Sequence, residues 1–327
     1  MTLKYNRRAF VGSLAGLPLA AKAGFSSQGI GFSFPIIDTH IHLFDKTRPE
    51  GAPYPRDLPE GGEPVQGMIA LPNRYQAITA PFGVVGAIVV EASPRLGDNQ
   101  WVLDVAEDWP IIVGLVGRIN PADRDFGNNL ERLRKNPLFL GIRQGQLHLG
   151  LDDPSYIDNL KLLADANCSL DVDTPRQGMT ATEVLVKLLD KVPSLRLVMD
   201  HLPDLRFPDR ASKDTYLSYL KELGNRPEVY IKLSEVVRSW NGRVTTDFRV
   251  YRDWLDELWE IFGEDRVMYG SDWPQSETLE FNSYPNVFNI ARAYTESKGP
   301  SAMEKVFWKN SLRPYRWVQR LASQRQS

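Results

Sequence analysis

The sequence predicts a (β/α)8 barrel, a single-domain α/β fold. Three observations carry that prediction. Eight short apolar runs recur along the chain, helix-like segments with their own start and stop signals fall between them, and polar residues gather at the ends of the runs. Near-continuous apolar runs are the pattern of strands covered on both faces. Strands alternating with helices pack as a parallel sheet, either closed into a barrel or open and doubly wound. The open sheet is the competing arrangement. A chain of 327 residues accommodates one barrel with insertions, and it shows neither an internal repeat nor a second domain.

The first run, Phe34-Pro35-Ile36-Ile37, leads into Asp38-Thr39-His40-Ile41-His42. Residues two apart in an extended chain point the same way, which predicts that Asp38, His40 and His42 share one face. The later runs cover residues 83–91, 111–116, 139–143, 169–172, 195–200, 229–233 and 266–270. Between them, Asp153-Pro154 is an N-cap and first-turn pair ahead of Ile157, Leu160 and Leu163. Thr180-Ala181-Thr182-Glu183 has the form of a capping box. Val250, Trp254, Leu255, Leu258, Trp259 and Phe262 make one apolar helix face that Gly263 ends. Residues 45–67 carry prolines at 49, 53, 55, 59 and 64 and glycines at 51, 61, 62 and 67. They predict a long loop, read either as a lid over the mouth or as a surface insertion.

Composition excludes some partners. The formal charge of −2 gives no basic surplus for nucleic acid. No stretch beyond residue 30 is apolar for long enough to span a membrane. At the N-terminus, Asn6-Arg7-Arg8-Ala9-Phe10 precedes an apolar run from Val11 to Ala20, and Ala21-Lys22-Ala23 has the form of a small-residue cleavage site. Residues 1–23 therefore read as a twin-arginine-like export signal ahead of a barrel over residues 30–320. The expected location is periplasmic or exported, with a cytoplasmic protein as the alternative. Cleavage after Ala23 takes the net charge from −2 to −6, since Lys4, Arg7, Arg8 and Lys22 leave and no acid does. The single cysteine, Cys168, forms no internal disulfide and reads as a small core residue.

In a barrel, the reacting groups come from the carboxyl ends of several strands. Here those ends supply His40 and His42, Glu91, Arg143, Asp171 and Asp173, Asp200 and His201, Lys232 and Ser234, and lastly Gly270-Ser271-Asp272-Trp273-Pro274. Three of the chain's four histidines fall in this set; the fourth, His148, reads as a local structural or rim residue. Two imidazoles on one side of a cavity grip one metal ion or one carbonyl oxygen.

Asp38-Thr39-His40-Ile41-His42 near the start, Met199-Asp200-His201-Leu202-Pro203 in the middle and Tyr269-Gly270-Ser271-Asp272-Trp273-Pro274 late resemble the amidohydrolase superfamily. The resemblance is to its amidohydrolase-2 branch, which holds fuconolactonase-like sugar lactonases and 2-pyrone-4,6-dicarboxylate lactonase. It runs from about Pro35 to about Tyr315 and takes in Trp308-Lys309-Asn310-Ser311-Leu312-Arg313. It implies a distorted (β/α)8 barrel and a hydrolase. It equates His40 and His42 with the family's HxH, His201 with its strand-six histidine, and Asp272 with its strand-eight aspartate. Arg143 is similar to an arginine that faces substrate in that family. The chain departs from the fully metallated pattern, because strand four ends in Arg143-Gln144 and strand five in Asp171-Val172-Asp173. A binuclear zinc site is therefore not expected.

Two versions of the chemistry remain open. In one, a single Zn²⁺ or Mn²⁺ sits on His40, His42 and Asp272, with Glu91 as a fourth ligand or else as the ion-pair partner of Arg95. In the other there is no metal, and His40, His42 and His201 polarise the substrate carbonyl. Asp272 is the base that activates water in both, and the expected reaction is opening of a lactone of a sugar acid or related carboxylate. Arg143, Arg176 and Trp273 are the expected substrate contacts, with Arg206, Arg238 and Trp240 as further candidates near the mouth. The expected partner is a small molecule, and a homo-oligomer is compatible with the sequence. A metal-dependent decarboxylase and a catalytically inactive periplasmic binding protein are the alternatives.

Overall fold

The computed structural model describes residues 32–52, 69–145, 150–173, 178–239, 244–277 and 283–325. Eight parallel strands form one sheet in chain order. They are β1 (Ile36–Ile41), β2 (Val84–Val90), β3 (Ile112–Gly117), β4 (Phe139–Gln144), β5 (Ser169–Val172), β6 (Arg196–Met199), β7 (Val229–Leu233) and β8 (Val267–Tyr269). From β2 onward each agrees with its sequence-predicted run to within a residue or so at either end. The first and last strands close the barrel just past the end of β8. Ile41 forms a parallel bridge with Trp273, the His42 N–H donates to the Trp273 carbonyl at 2.7 Å, and the Asp272 N–H donates to the His40 carbonyl at 2.9 Å. This closure joins the two segments that carry the candidate site.

Helices alternate with the strands and cover their outer faces: α1 (Pro72–Thr79), α2 (Leu96–Asp108), α3 (Phe126–Leu133), α4 (Pro154–Asp165), α5 (Gly178–Lys191), α6 (Arg210–Gly224), α7 (Arg252–Phe262) and α8 (Tyr284–Lys298). The Asp153 side chain accepts from the Ser155 N–H and Pro154 opens α4, as the sequence predicts. Gly263, at φ 74°, ends α7. Two helix expectations shift. Helix α5 already begins at Gly178, so Thr180 and Glu183 lie inside it rather than forming its cap. Val250 belongs to a 3₁₀ turn ahead of α7 and is exposed, because the apolar face starts only at Trp254. Residues 53–67 of the predicted loop lie outside the described residues, as do residues 1–31 with the export signal.

Apolar side chains fill the barrel axis, among them Ile37, Ile88, Val113, Leu140, Val198 and Met268. After α8 come α9 (Pro300–Glu304), a π turn (Lys305–Lys309) and α10 (Asn310–Tyr315), and Trp308, Tyr315 and Trp317 pack onto that axial layer. The chain beyond α10 reaches backbone at the starts of β2 and β3: the Val318 N–H donates to the Val113 carbonyl, and Gln324 Nε2 donates to the Val85 carbonyl. The C-terminal segment thus packs at the amino ends of the strands and leaves the carboxyl ends to the chemistry. Asn310 donates to the carbonyls of Glu264 and Val267 at 2.7 and 2.8 Å, which fixes the entry of β8.

The first strand departs from simple alternation where it enters the site. The pairing of β1 with β2 shifts register between Asp38 and Ile41, and a bulge of this kind re-aims side chains. Asp38 therefore does not share a face with His40 and His42. It bonds the hydroxyls of Tyr75 on α1 (2.9 Å) and Tyr284 on α8 (3.3 Å), while His40 reaches Asp200 and Lys232 inside the barrel.

Gly270 follows β8 where that strand's end lies close against β1. A Cβ there would lie 2.8 Å from the His40 Cβ and 3.6 Å from the Lys232 Cδ. Gly270→Ala is expected to lower unfolding free energy by about 1–3 kcal/mol through this overpacking, as read by urea denaturation. An unchanged midpoint would contradict the tight approach.

Candidate active site at the carboxyl ends of the strands

His40, His42, His201 and Asp272 come together at the mouth, all buried. The His40 Nε2, His42 Nε2 and Asp272 Oδ1 atoms form a triangle with sides of 3.3, 3.1 and 3.5 Å. His40, His201 and Asp272 also offer donor atoms that all lie within 4.8 Å of one another. The His201 Nδ1 is 3.0 Å from the Ser234 hydroxyl, and its ring centroid is 4.7 Å from that of His40. The His42 Nδ1 lies 3.0 Å from the Val90 carbonyl, which can only accept. That nitrogen therefore carries a proton, and in the neutral ring Nε2 is a lone pair aimed at the Asp272 carboxylate.

Asp272 has φ 57°, in the left-handed region. Aspartate tolerates this conformation better than most residues, but it still costs on the order of 1–3 kcal/mol. The loop is held from two sides. The His40 carbonyl accepts from the Asp272 N–H, and the Asp38 Oδ1 accepts from the Ser271 N–H at 2.9 Å. Burial works against the Asp272 carboxylate, but the surrounding imidazoles of His42, His201 and His40 outweigh it and hold the acid below the ordinary range. It is ionised at neutral pH. Burial and the neighbouring Lys232 ammonium push the His40 imidazole well below its ordinary value, so this ring is neutral.

Beneath the mouth lies a buried charge cluster. The Lys232 Nζ has no exposed surface and lies 2.9 Å from Asp171 Oδ2, 2.8 Å from Asp200 Oδ1 and 3.3 Å from His40 Nδ1. Asp171 also accepts from Ser169 Oγ and the Tyr315 hydroxyl. The Arg143 Nε is 2.7 Å from Asp200 Oδ2, with Asp173 3.6 Å from its Nη2. Burial opposes the Arg143 charge, yet Asp200, Asp173, Glu91 and Asp272 together raise its pKa above the usual range. Asp171, Asp200 and Lys232 stand at strand ends in the sequence, but nothing in the sequence marks them as a linked set. Tyr315 comes from the C-terminal helix, and no local motif signals its contact.

The remaining predicted site residues are placed as follows. Glu91 lies outside the histidine–aspartate group, 3.7 Å from Arg118 Nη1. Burial raises its pKa, against the pull of Arg143, Arg118 and His42. Arg95 instead donates to the Glu50 carbonyl. Trp273 has no exposed surface. Its ring packs against Tyr75 and beneath Arg74, so it offers no face to a ligand in this conformation. Arg206 is held by Asp204 and the Ser239 carbonyl, and Arg238 stacks on Trp254. Arg176, Trp240 and His148 lie outside the described residues.

The donor set fits a single divalent cation. Ligands at about 2.0–2.1 Å in tetrahedral array lie about 3.3–3.4 Å apart, close to the sides of the triangle of His40, His42 and Asp272. A cation would also resolve the meeting of the His42 lone pair with the carboxylate.

A closed (β/α)8 barrel whose strand ends bring three imidazoles and an ionised carboxylate to one point has the architecture of a barrel enzyme. The chain belongs to the amidohydrolase family, since the sequence model described as Amidohydrolase matches residues 37–317. It is similar to an L-fucono-1,5-lactonase of Burkholderia ambifaria, 28% identical over 75% of this chain and 84% of the relative. An L-fucono-1,5-lactonase of Burkholderia multivorans is 26% identical over 83% of this chain and 92% of its own. Among solved structures, a zinc-bound amidohydrolase from Burkholderia multivorans superposes with a TM-score of 0.72 at 22% identity, over 87% of this chain and all of that one. No helix among the described residues is long and apolar enough to cross a membrane.

Burial pushes the Asp38 carboxyl up to about 6, against the hydrogen bonds from Ser271, Tyr75 and His40 that lower it, while the ordinary value is 3.8. The folded state therefore holds this proton more tightly than the unfolded chain does. The resulting stability is fully present below about pH 4 and is lost as pH rises through 6. The expected size is about 3 kcal/mol, from 1.36 kcal/mol per pKa unit. Unfolding free energies of the wild type and Asp38→Asn, measured by urea at pH 4 and pH 7, should diverge by that amount, with the wild type losing ground at pH 7. A difference independent of pH would contradict it.

Proposed function

We propose that this enzyme hydrolyses the ring ester of a sugar-acid lactone. The observation that carries the reading is the ionised Asp272 beside three imidazoles at the barrel mouth. The lactonase names of the two Burkholderia relatives support it. Hydrolysis requires a water, an acceptor for its proton, and donors at the carbonyl oxygen.

In this reading Asp272 takes a proton as the water oxygen bonds to the carbonyl carbon. The bond between that carbon and the ring oxygen then breaks. The ring oxygen receives the proton from Asp272 and leaves as a hydroxyl, and the product is the open hydroxy acid. His201, oriented through Nδ1 by Ser234, presents its other ring nitrogen to the developing oxyanion. His42, fixed by the Val90 carbonyl, sets its Nε2 3.1 Å from the Asp272 carboxylate. Arg143, anchored on Asp200, places guanidinium N–H donors at the wall of the mouth, which suits a ligand rich in carboxylate or hydroxyl oxygens. A Zn²⁺ or Mn²⁺ ion bound by His40, His42 and Asp272 would polarise the carbonyl and make its bound water more acidic. The twin-arginine-like pattern of residues 1–23 supports the further proposal that the enzyme works outside the cytoplasm.

The test is acid release from a panel of 1,4- and 1,5-aldonolactones, read with a pH indicator. Asp272→Asn keeps a residue type that accepts the left-handed backbone, so the fold is retained. The expected loss in kcat is about 10²–10⁴-fold, with KM little changed. Absence of turnover on every lactone, or full activity in the variant, would overturn the reading.

A further inference from the structure

We propose that Lys232 is a positioning residue that decides which ring nitrogen of His40 carries the proton, and so restrains the affinity of the mouth for a divalent cation. The proposal rests on the fit of the donor triangle to a cation and not on the choice of substrate.

The His40 Nδ1 stands between two groups with opposite demands. Lys232 Nζ and Asp200 Oδ1 each lie 3.3 Å from it. An ammonium only donates and a carboxylate only accepts. Lys232 has three N–H bonds. Asp171 Oδ2 and Asp200 Oδ1, at 2.9 and 2.8 Å, take two of them, and the His40 Nδ1 is in reach of the third. When Nδ1 accepts that bond, the ring proton sits on Nε2. His40 then points an N–H at His42 and Asp272 and has no lone pair to give a metal.

In the other tautomer the proton sits on Nδ1 and is donated to Asp200 Oδ1. This frees the Nε2 lone pair and creates a carboxylate–histidine–metal alignment of the kind that orients metal-bound imidazoles. The ring carries one proton in both states, and only its position differs. Lys232 favours the first state and Asp200 the second.

The ammonium cannot easily withdraw. It is fully buried, and both of its carboxylate partners are fixed from behind: Asp171 by Tyr315 and Ser169, Asp200 by Arg143. Binding a cation at Nε2 therefore has to move the His40 proton against a fixed donor. The structure thus assigns Lys232 the role of a brake on metal loading, with Asp200 as its counterweight.

The test is Zn²⁺ binding to the metal-stripped full chain, by competition with a chromophoric chelator. The double variant Lys232→Met with Asp171→Asn removes the donor while leaving the cluster's net charge unchanged. It is expected to bind Zn²⁺ about 10-fold more tightly than the wild type, whereas Asp200→Asn is expected to bind about 10–100-fold more weakly, the usual effect of losing such a partner. Adding His42→Gln to the double variant should abolish the gain if binding is at the mouth. Equal or weaker binding by the double variant, including no binding by either protein, would overturn the proposal.

A second measurement does not depend on the variants folding. Nitrogen NMR of the metal-stripped wild type should find His40 protonated at Nε2, and protonation at Nδ1 would overturn the proposal. Neither measurement uses a lactone, so failure of the lactonase reading would be seen separately.

Discussion

The candidate site depends on burying Lys232 between Asp171 and Asp200. Removing a single charge from water costs several kcal/mol, and breaking a buried pair leaves that cost uncompensated. The barrel accepts this cluster because its members neutralise one another. Lys232 bridges the two carboxylates, Arg143 covers the far oxygen of Asp200, and Tyr315 and Ser169 complete Asp171. The layer beneath is apolar, so these charges form a rigid polar floor under the histidines rather than a solvated pore. Tyr315 also ties the C-terminal segment, which packs at the amino ends of the strands, to the floor of the mouth. A change near the C-terminus can therefore reach the site through one hydroxyl.

The second constraint is the way β1 and β8 close the barrel. The bulge in β1 sends Asp38 outward to Tyr75 and Tyr284 while His40 and His42 stay at the mouth. Asp38 still acts on the site, because its other oxygen holds the Ser271 N–H next to Asp272. The backbone ladder then runs from His40 to Asp272 and from Trp273 to His42. Two strands distant in sequence are thereby locked at the point where the imidazoles meet the carboxylate. Gly270 allows the close approach, and the left-handed backbone at Asp272 turns its side chain toward the imidazoles.

Much of this was legible in the sequence because it rests on local pattern. The eight apolar runs mark strands buried on both faces, and the polar residues at their ends mark the carboxyl face of a barrel. His40, His42, His201 and Asp272 stand among those residues, and the resemblance to the amidohydrolase superfamily singled them out. What the sequence did not disclose depends on register and long-range contact. Period-two alternation placed Asp38 beside His40, and a single bulge reversed it. Trp273 read equally well as a stacking platform or as packing, and only its burial under Arg74 and against Tyr75 distinguishes the two. The partnership of Lys232 with Asp171, Asp200 and Tyr315 joins four separate elements, and no spacing along the chain encodes it.

The central claim is that water adds to a carbonyl carbon held between Asp272 and the histidines. The most direct test is a crystal structure with a hydroxy-acid product bound. The account predicts the product carboxylate at the mouth, with one oxygen within about 3.2 Å of Asp272 or the ion it shares with His40 and His42, and the other within hydrogen-bond reach of His201. A product carboxylate held elsewhere, for instance by Arg118 with the histidines uncontacted, would contradict it.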